Sequence, residues 1–254
     1  MQHSRTQIDK LGDRLREGLV DAKVLTELEA YRNSFGPAYA HVCERLSELR
    51  HEVTGRPAKS TGAIVDKLKR QSSRLSQMQD IAGCRVVVED IIQQRRALGA
   101  MQVYLDDPQV FDRRSQPSHG YRAIHLVASF DGVKVEVQLR TRLQHLWAEI
   151  SERLSDVVDP GLKYGIGDPD ALRFLQNISD SIDGIERAEG RRLALMAAMD
   201  GSRTNPRIRK RIKKDLRETD RRFFDGRERL TGFLQNVRDE VDFRSAEFQL
   251  ETVA

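Results

Sequence analysis

YRAIHLVASFDGVKVEVQLRT, residues 121–141, is the stretch whose reading decides how this chain folds. Asp131-Gly132 separates two runs of alternating apolar and polar residues. An Asp-Gly pair suits a two-residue type I′ turn, which needs positive φ at both central positions, so the stretch predicts a tight β-hairpin. Such a turn sets Phe130 opposite Val133, Ser129 opposite Lys134, Val127 opposite Glu136 and His125 opposite Gln138. Strand side chains alternate between faces, so the register sorts them. Ile124, Leu126, Ala128, Phe130, Val133, Val135, Val137 and Leu139 form an entirely apolar face that belongs to the core. Tyr121, His125, Lys134, Glu136, Gln138 and Arg140 collect on the other.

That second face has two readings. Antiparallel sheets commonly turn one face to water, and alternation alone says no more than this. Its composition says more, because an aromatic ring, an imidazole, a carboxylate, an amide and a guanidinium are the groups that stack a base, hold Mg²⁺ and clamp phosphates.

Upstream, IAGCRVVV (81–88) is an apolar, β-branched run that reads as a buried strand, with Asp80 immediately before it. Asp80 is either a turn residue or a second oxygen ligand for Mg²⁺ beside Glu136, if the strands are neighbours. TGRPAKSTGAIVDKLKRQSSR (54–74) is not a P-loop, since GxxxxGK[ST] would need glycines where Val53 and Ala58 stand. It reads as a helix capped by Ser60 or Thr61, with Ile64, Val65, Leu68 and Leu75 on one side and Lys67, Arg70 and Arg74 in a basic stripe. With Arg56 and Lys59 before it, the stripe is either a solvated face or a triphosphate-binding one.

Further out, residues 1–53 read as a helical segment with Leu11, Leu15, Leu19, Val24, Leu25 and Leu28 at helical spacing, interrupted at Gly36-Pro37. Residues 54–157 form the α+β core, a mixed β-sheet flanked by helices. Within it, residues 90–101 read as a helix leading to a short strand at 101–105, then a polar loop at 106–119 and, after the hairpin, a helix from Arg142. Residues 158–254 return to helix, and Phe223, Leu230, Phe233, Leu234, Val237 and Val241 make a stripe near heptad spacing, suited to packing on its own domain or to a homo-oligomer seam.

Of 254 residues, 39% are hydrophobic and 32% charged, a globular balance rather than a disordered one. No apolar run is long enough to span a membrane, and MQHSRTQIDKLGDRLREG lacks the apolar stretch of a signal peptide, so the expected location is cytoplasmic. Cys43 and Cys84 sit inside apolar patterns and fit buried thiols of a reducing compartment better than a disulfide or a metal site. The six histidines include no HExxH helix and no His-Asp dipeptide, which gives a metal-dependent hydrolase little support. A net charge of +4 leans toward polyanionic partners such as nucleotides or RNA.

Taken together and in order, GRPAKSTGAIVDKL, DIAGCRVVV, HGYRAIHLV and VEVQLRTRLQHLWAE resemble the RelA/SpoT synthetase family, particularly its small single-function members, over roughly residues 55–150. The resemblance implies a nucleotidyltransferase-like mixed sheet and transfer of the β,γ-pyrophosphate of ATP to a ribose 3′-hydroxyl. It implies that Asp80 and Glu136 are the catalytic Mg²⁺ pair, with Glu136 also activating the hydroxyl. Arg56 and Arg85 resemble the arginines that sandwich adenine, and Lys59, Lys67 and Arg70 match contacts to the ATP phosphates. Tyr121 resembles the residue that stacks the acceptor base, while His125, Gln138 and Arg140 fall on the acceptor side.

Some positions depart from the family pattern. Gln116-Pro117 stands where members carry Lys-Pro, with one extra residue before Gly120; the basic-helix motif has one extra residue after Arg56, and Ala63 replaces a Ser. The His-Asp hydrolase domain of long members is absent, so synthesis without hydrolysis is expected. The resemblance implies one of two acceptors: GDP or GTP, giving (p)ppGpp and AMP, or, as in the family's toxin branch, the 3′ end of tRNA, with an antitoxin as a further expected partner. The missing Lys, the YRNSFGPAYAHVCERL helix and the compact DIAGCRVVV region resemble that branch, and the basic run RIRKRIKKDLR (207–217) is either a solvated helix face or a guide for an RNA backbone.

Overall fold

The structure, a computed structural model, describes residues 4–200 and 206–253. The chain forms two compact units interleaved in sequence. The first comprises residues 1–87, 96–111 and 124–139, and the second residues 88–95, 112–123 and 140–254.

The first unit is built on a five-stranded sheet of order β1-β2-β5-β4-β3. Its strands are β1 (Val53–Arg56), β2 (Ala82–Val88), β3 (Gln109–Asp112), β4 (Ile124–Phe130) and β5 (Val133–Thr141). The hairpin forms as its turn demands. Asp131 and Gly132 have φ of 49° and 76°, and the ladder runs from Phe130 opposite Val133 to Ile124 opposite Leu139, with His125 facing Gln138 and Val127 facing Glu136. Ile124, Leu126, Val135, Val137 and Leu139 are fully buried, so the apolar face is core.

Helices α1 (Arg5–Arg16), α2 (Ala22–Asn33), α3 (Gly36–Glu48) and α4 (Thr61–Arg70) complete this unit, with α3 against β1 and β4 and α1 against α2 and α4. Leu11, Leu15, Val24 and Leu28 are buried as their spacing predicts, whereas Leu19 lies beyond the end of α1 and is exposed, as is Leu25 on α2. Ser60 caps α4 by accepting from the Ala63 N–H.

Two expectations for this region need correction. Helix α5 (Ile91–Tyr104) continues through the residues read as a strand at 101–105. The buried residues Ala97, Met101 and Leu105 are four apart, a helical period, and the four-residue strand β3 forms later, inside the segment read as loop. Helix α4 also stops at Arg70, because Gln71 turns extended. Leu75 is buried in a separate 3-10 turn, and Arg74 pairs with Asp9 at 3.6 Å instead of extending the basic stripe.

The second unit is helical, with α6 (Arg142–Val157), α7 (Pro169–Asp200) and α8 (Pro206–Val253) packed on one another. Thr141 and Gln144 form a reciprocal capping box at the start of α6. Leu143, Leu146, Trp147, Ile150, Leu175, Ile178, Ile182 and Leu234 form its core, and Leu230 and Val237 pack against it. The stripe on the last helix is therefore used within its own unit, although Phe233 remains 46% exposed.

Candidate active site

One face of the first unit's sheet gathers most of the polar residues singled out in the sequence. In β2 burial alternates strictly, sending Ala82, Cys84 and Val86 into the core and leaving Gly83 and Arg85 on the opposite face. Antiparallel pairing sets Arg56 directly across from Gly83 and Thr54 across from Arg85. Arg56 and Arg85 are thus diagonal neighbours on one face, and the Arg85 Nε–H donates to Thr54 Oγ1 at 3.4 Å. On the other side of β2 lies β5, and a Cβ placed on Gly83 would sit 3.8 Å from that of Glu136. The glycine therefore leaves a gap in the row between Arg56 and Glu136.

Glu136 is held from both sides. Its Oε1 lies 2.9 Å from His125 Nδ1, and its Oε2 accepts from Gln138 Nε2 at 3.0 Å. Their places follow from the hairpin register, with His125 across from Gln138 and Glu136 two residues before it on the same face. Burial works against the Glu136 charge, but the His125 hydrogen bond and charge, with Gln138, hold its carboxyl below the usual range; the Asp80 charge, near enough to be felt, pushes the other way. Glu136 is therefore an ionised acceptor at neutral pH, with its side chain 18% exposed. A plain solvated sheet face does not look like this.

Asp80 occupies the turn before β2. The Lys59 backbone N–H donates to the Ile81 carbonyl at 2.7 Å and so brings the start of α4 alongside the strand. Lys59 Nζ donates to Asp80 Oδ2 at 2.6 Å, and Lys67 Nζ donates to Oδ1 at 2.7 Å. Burial disfavours the Asp80 charge, yet the two ammonium groups overcome it and bring the pKa down to about 2. This double pairing was not visible in the sequence, which suggested only phosphate contacts for the two lysines. Arg70 is exposed one turn further along α4.

Tyr121 and Arg140 belong to the second unit and pair with each other there. Arg140 Nη2 donates to the Tyr121 hydroxyl at 3.1 Å, and the guanidinium lies 5.1 Å from the ring centroid. Gly120, at φ 87°, backs onto Trp147, where a Cβ would come within 2.8 Å of Cζ2. Arg122, the motif residue to which sequence reasoning gave no role, is buried and ties the turn to α7 through Ser179 at 3.0 Å and Asp183 at 3.0 Å.

Among the described residues no group of three or more His, Cys, Asp or Glu side chains forms a metal cage. Mg²⁺ does not require one, because it keeps waters and substrate phosphates and takes only one or two carboxylates. Two ionised carboxylates within each other's field, Asp80 and Glu136, fit that demand. No helix among the described residues is long and apolar enough to cross a membrane.

A five-stranded sheet flanked by helices, with acidic and basic groups concentrated on one face, is the architecture of a nucleotidyltransferase-like synthetase core. The sequence profile of the family described as "Region found in RelA / SpoT proteins" matches residues 55–155. GTP pyrophosphokinase YjbM of Bacillus subtilis is 31% identical over 153 residues, covering 53% of this chain and 67% of that protein. The chain belongs to the RelA/SpoT family. An uncharacterized protein of Mycobacterium tuberculosis is 32% identical over 170 residues, 63% of this chain, and the match spans 62% of that relative's length. The crystal structure of small alarmone synthetase 1 from Bacillus subtilis superposes with a TM-score of 0.50 at 26% identity, covering 67% of this chain and 96% of that one.

Proposed function

We propose that this chain is a Mg²⁺-dependent pyrophosphokinase that transfers the β,γ-pyrophosphate of ATP to the 3′-hydroxyl of GDP or GTP, making (p)ppGpp and releasing AMP. The observation that carries this reading is the Glu136 carboxylate, kept ionised by His125 and Gln138 within the field of Asp80. Phosphoryl-type transfer needs little covalent chemistry from the protein and depends on alignment and charge neutralisation. Arg56 and Arg85, diagonal on the open face, hold the adenine between their guanidinium planes. Lys59 and Lys67, now on Asp80, exchange that carboxylate for phosphate oxygens, and Arg70 extends the cationic row. Asp80 and Glu136 would hold Mg²⁺, which when bound neutralises triphosphate charge. Glu136 also accepts the proton of the attacking 3′-hydroxyl. Tyr121 stacks the acceptor base, and His125, Gln138 and Arg140 orient the acceptor. The chain works as a synthetase.

A second acceptor, the 3′ end of tRNA, is favoured by one observation. Arg207, Arg209, Lys210, Arg211, Lys213, Lys214, Arg217 and Arg221 are all exposed on α8, a charge density suited to an RNA backbone. That acceptor belongs with a translation-inhibiting toxin and an antitoxin partner. Supplying ATP labelled in the γ-phosphate with GDP, GTP or deacylated tRNA separates the readings. Label in the guanine nucleotide and none in tRNA supports the first proposal, and label in tRNA alone replaces it with the second.

A further inference from the structure

Helix α7 of the second unit carries a polar row. Ser179, Asp183 and Glu186 are spaced four and three apart, so they lie along one side of the helix. Ser179 and Glu186 are buried, and Asp183 is half-buried. The apolar contacts of α7 come from Leu175, Ile178 and Ile182, so packing alone does not call for the polar row. From Glu186 a ring of hydrogen bonds runs outward and returns to the same helix, all within this unit. On α6, Gln144 Nε2 donates to both Glu186 oxygens, at 2.9 and 3.0 Å. Gln144 Oε1 accepts from Gln94 Nε2 on α5 at 2.9 Å, and Gln94 Oε1 accepts from Arg114 Nη1 at 3.2 Å. The Arg114 carbonyl accepts from Arg122, whose guanidinium closes the ring on Ser179 and Asp183.

This ring reaches both members of the Tyr121–Arg140 pair. Arg122 follows Tyr121 in the chain, and Thr141, which follows Arg140, donates its hydroxyl to Glu186 Oε1 at 2.7 Å. We propose that Glu186 is a positioning residue for the acceptor, and that the α7 polar row, through this ring, fixes the backbone on which Tyr121 and Arg140 stand. Burying a carboxylate is costly, and an apolar side chain at the same place packs without that cost. What a fully satisfied buried network supplies instead is a single orientation. Burial pushes the Glu186 carboxyl up, opposed by the Thr141 and Gln144 hydrogen bonds and by the charges of Arg114 and Arg122. Glu186 lies outside residues 55–155, the part of the chain that the family profile matches. The inference rests on the reading of Tyr121 and Arg140 as acceptor contacts.

The test measures AMP release with whichever of GDP, GTP or deacylated tRNA the parent uses, varying ATP and acceptor separately. Because Gln144 Nε2 touches both carboxylate oxygens, Glu186→Gln sets an NH₂ group against it in either orientation of the new amide. Gln144 cannot turn away without losing its bonds from Gln94 and from the Thr141 N–H. The expected result is a rise of about tenfold in the acceptor KM, with the ATP KM and kcat within about twofold of the parent. A merely structural role predicts no such split between the two substrates. Asp183→Asn, at the half-buried end of the ring, keeps the side chain's shape and serves where Glu186→Gln does not fold; it should raise the acceptor KM in the same selective way. Unchanged acceptor KM in the folded variants, or ATP and acceptor KM rising together, overturns the inference and leaves the pyrophosphokinase reading standing. No AMP from the parent with any of the three acceptors overturns both.

Discussion

Replacing Asp80 with Asn keeps the side chain's size and removes the charge that Lys59 and Lys67 share at 2.6 and 2.7 Å. The Asp80 pKa falls from 3.8 to about 2, and at ~1.36 kcal/mol per unit the folded state gains on the order of 2 kcal/mol from this carboxylate at neutral pH. Its side chain is only 18% exposed, so solvent screens little of that. The Asn variant also leaves two ammonium groups facing one amide, which makes the figure a lower bound. For a chain of this size the loss lowers the melting temperature by roughly 4–8 °C. The sign of the pH dependence follows from a depressed acid pKa. The stabilisation is complete above 3.8 and drains away as pH falls through about 2. Urea unfolding of both proteins at pH 7 and pH 3 reads this directly, because at pH 3 the gap should shrink to about half. Equal stability at pH 7, or a gap that does not narrow at pH 3, would refute the reasoning.

The gap beside Glu136 gives a second prediction. Gly83→Val puts branched carbon between Arg56 and Glu136, where even a Cβ would lie 3.3 Å from the Glu136 carbonyl oxygen. Titration calorimetry should show ATP binding weakened at least tenfold with the fold retained, and Gly83→Ala affected much less; unchanged affinity in the Val variant would contradict the placement of the nucleotide. In the second unit, Arg122→Ala strips the Asp183 carboxylate of its buried guanidinium partner and should cost about 3 kcal/mol in denaturant unfolding. A loss below about 1 kcal/mol would mean that the turn is held by other contacts.

How much of this was legible in the sequence depended on how local each signal was. The hairpin register could be read residue by residue, because one Asp-Gly turn fixes the pairing and the alternation confirms it. The cap of α4, read as Ser60 or Thr61 and found to be Ser60, is equally local. Strand β3 was missed because it is four residues long and exposed along its whole length, so no buried face imposes an alternation. Met101 and Leu105 pass for a strand because a five-residue stretch does not separate period two from period 3.6; extending the window to Ala97 does. Arg74 was placed on a helix that Gln71 had already ended. In the site, the sheet face could be read, but the double pairing of Asp80 could not. It depends on which elements lie side by side, and no periodicity encodes that.

The central claim is that the Glu136 carboxylate, held by His125 and Gln138, accepts the proton of the attacking hydroxyl. Glu136→Gln keeps the shape and both neighbours and deletes only the charge. Following AMP release from ATP with the active acceptor, alongside an unfolding curve, is the most direct test. The expected result is an unfolding curve close to the parent's and AMP formation reduced at least a thousandfold; a folded Glu136→Gln variant that still releases AMP at the parent's rate would contradict the account.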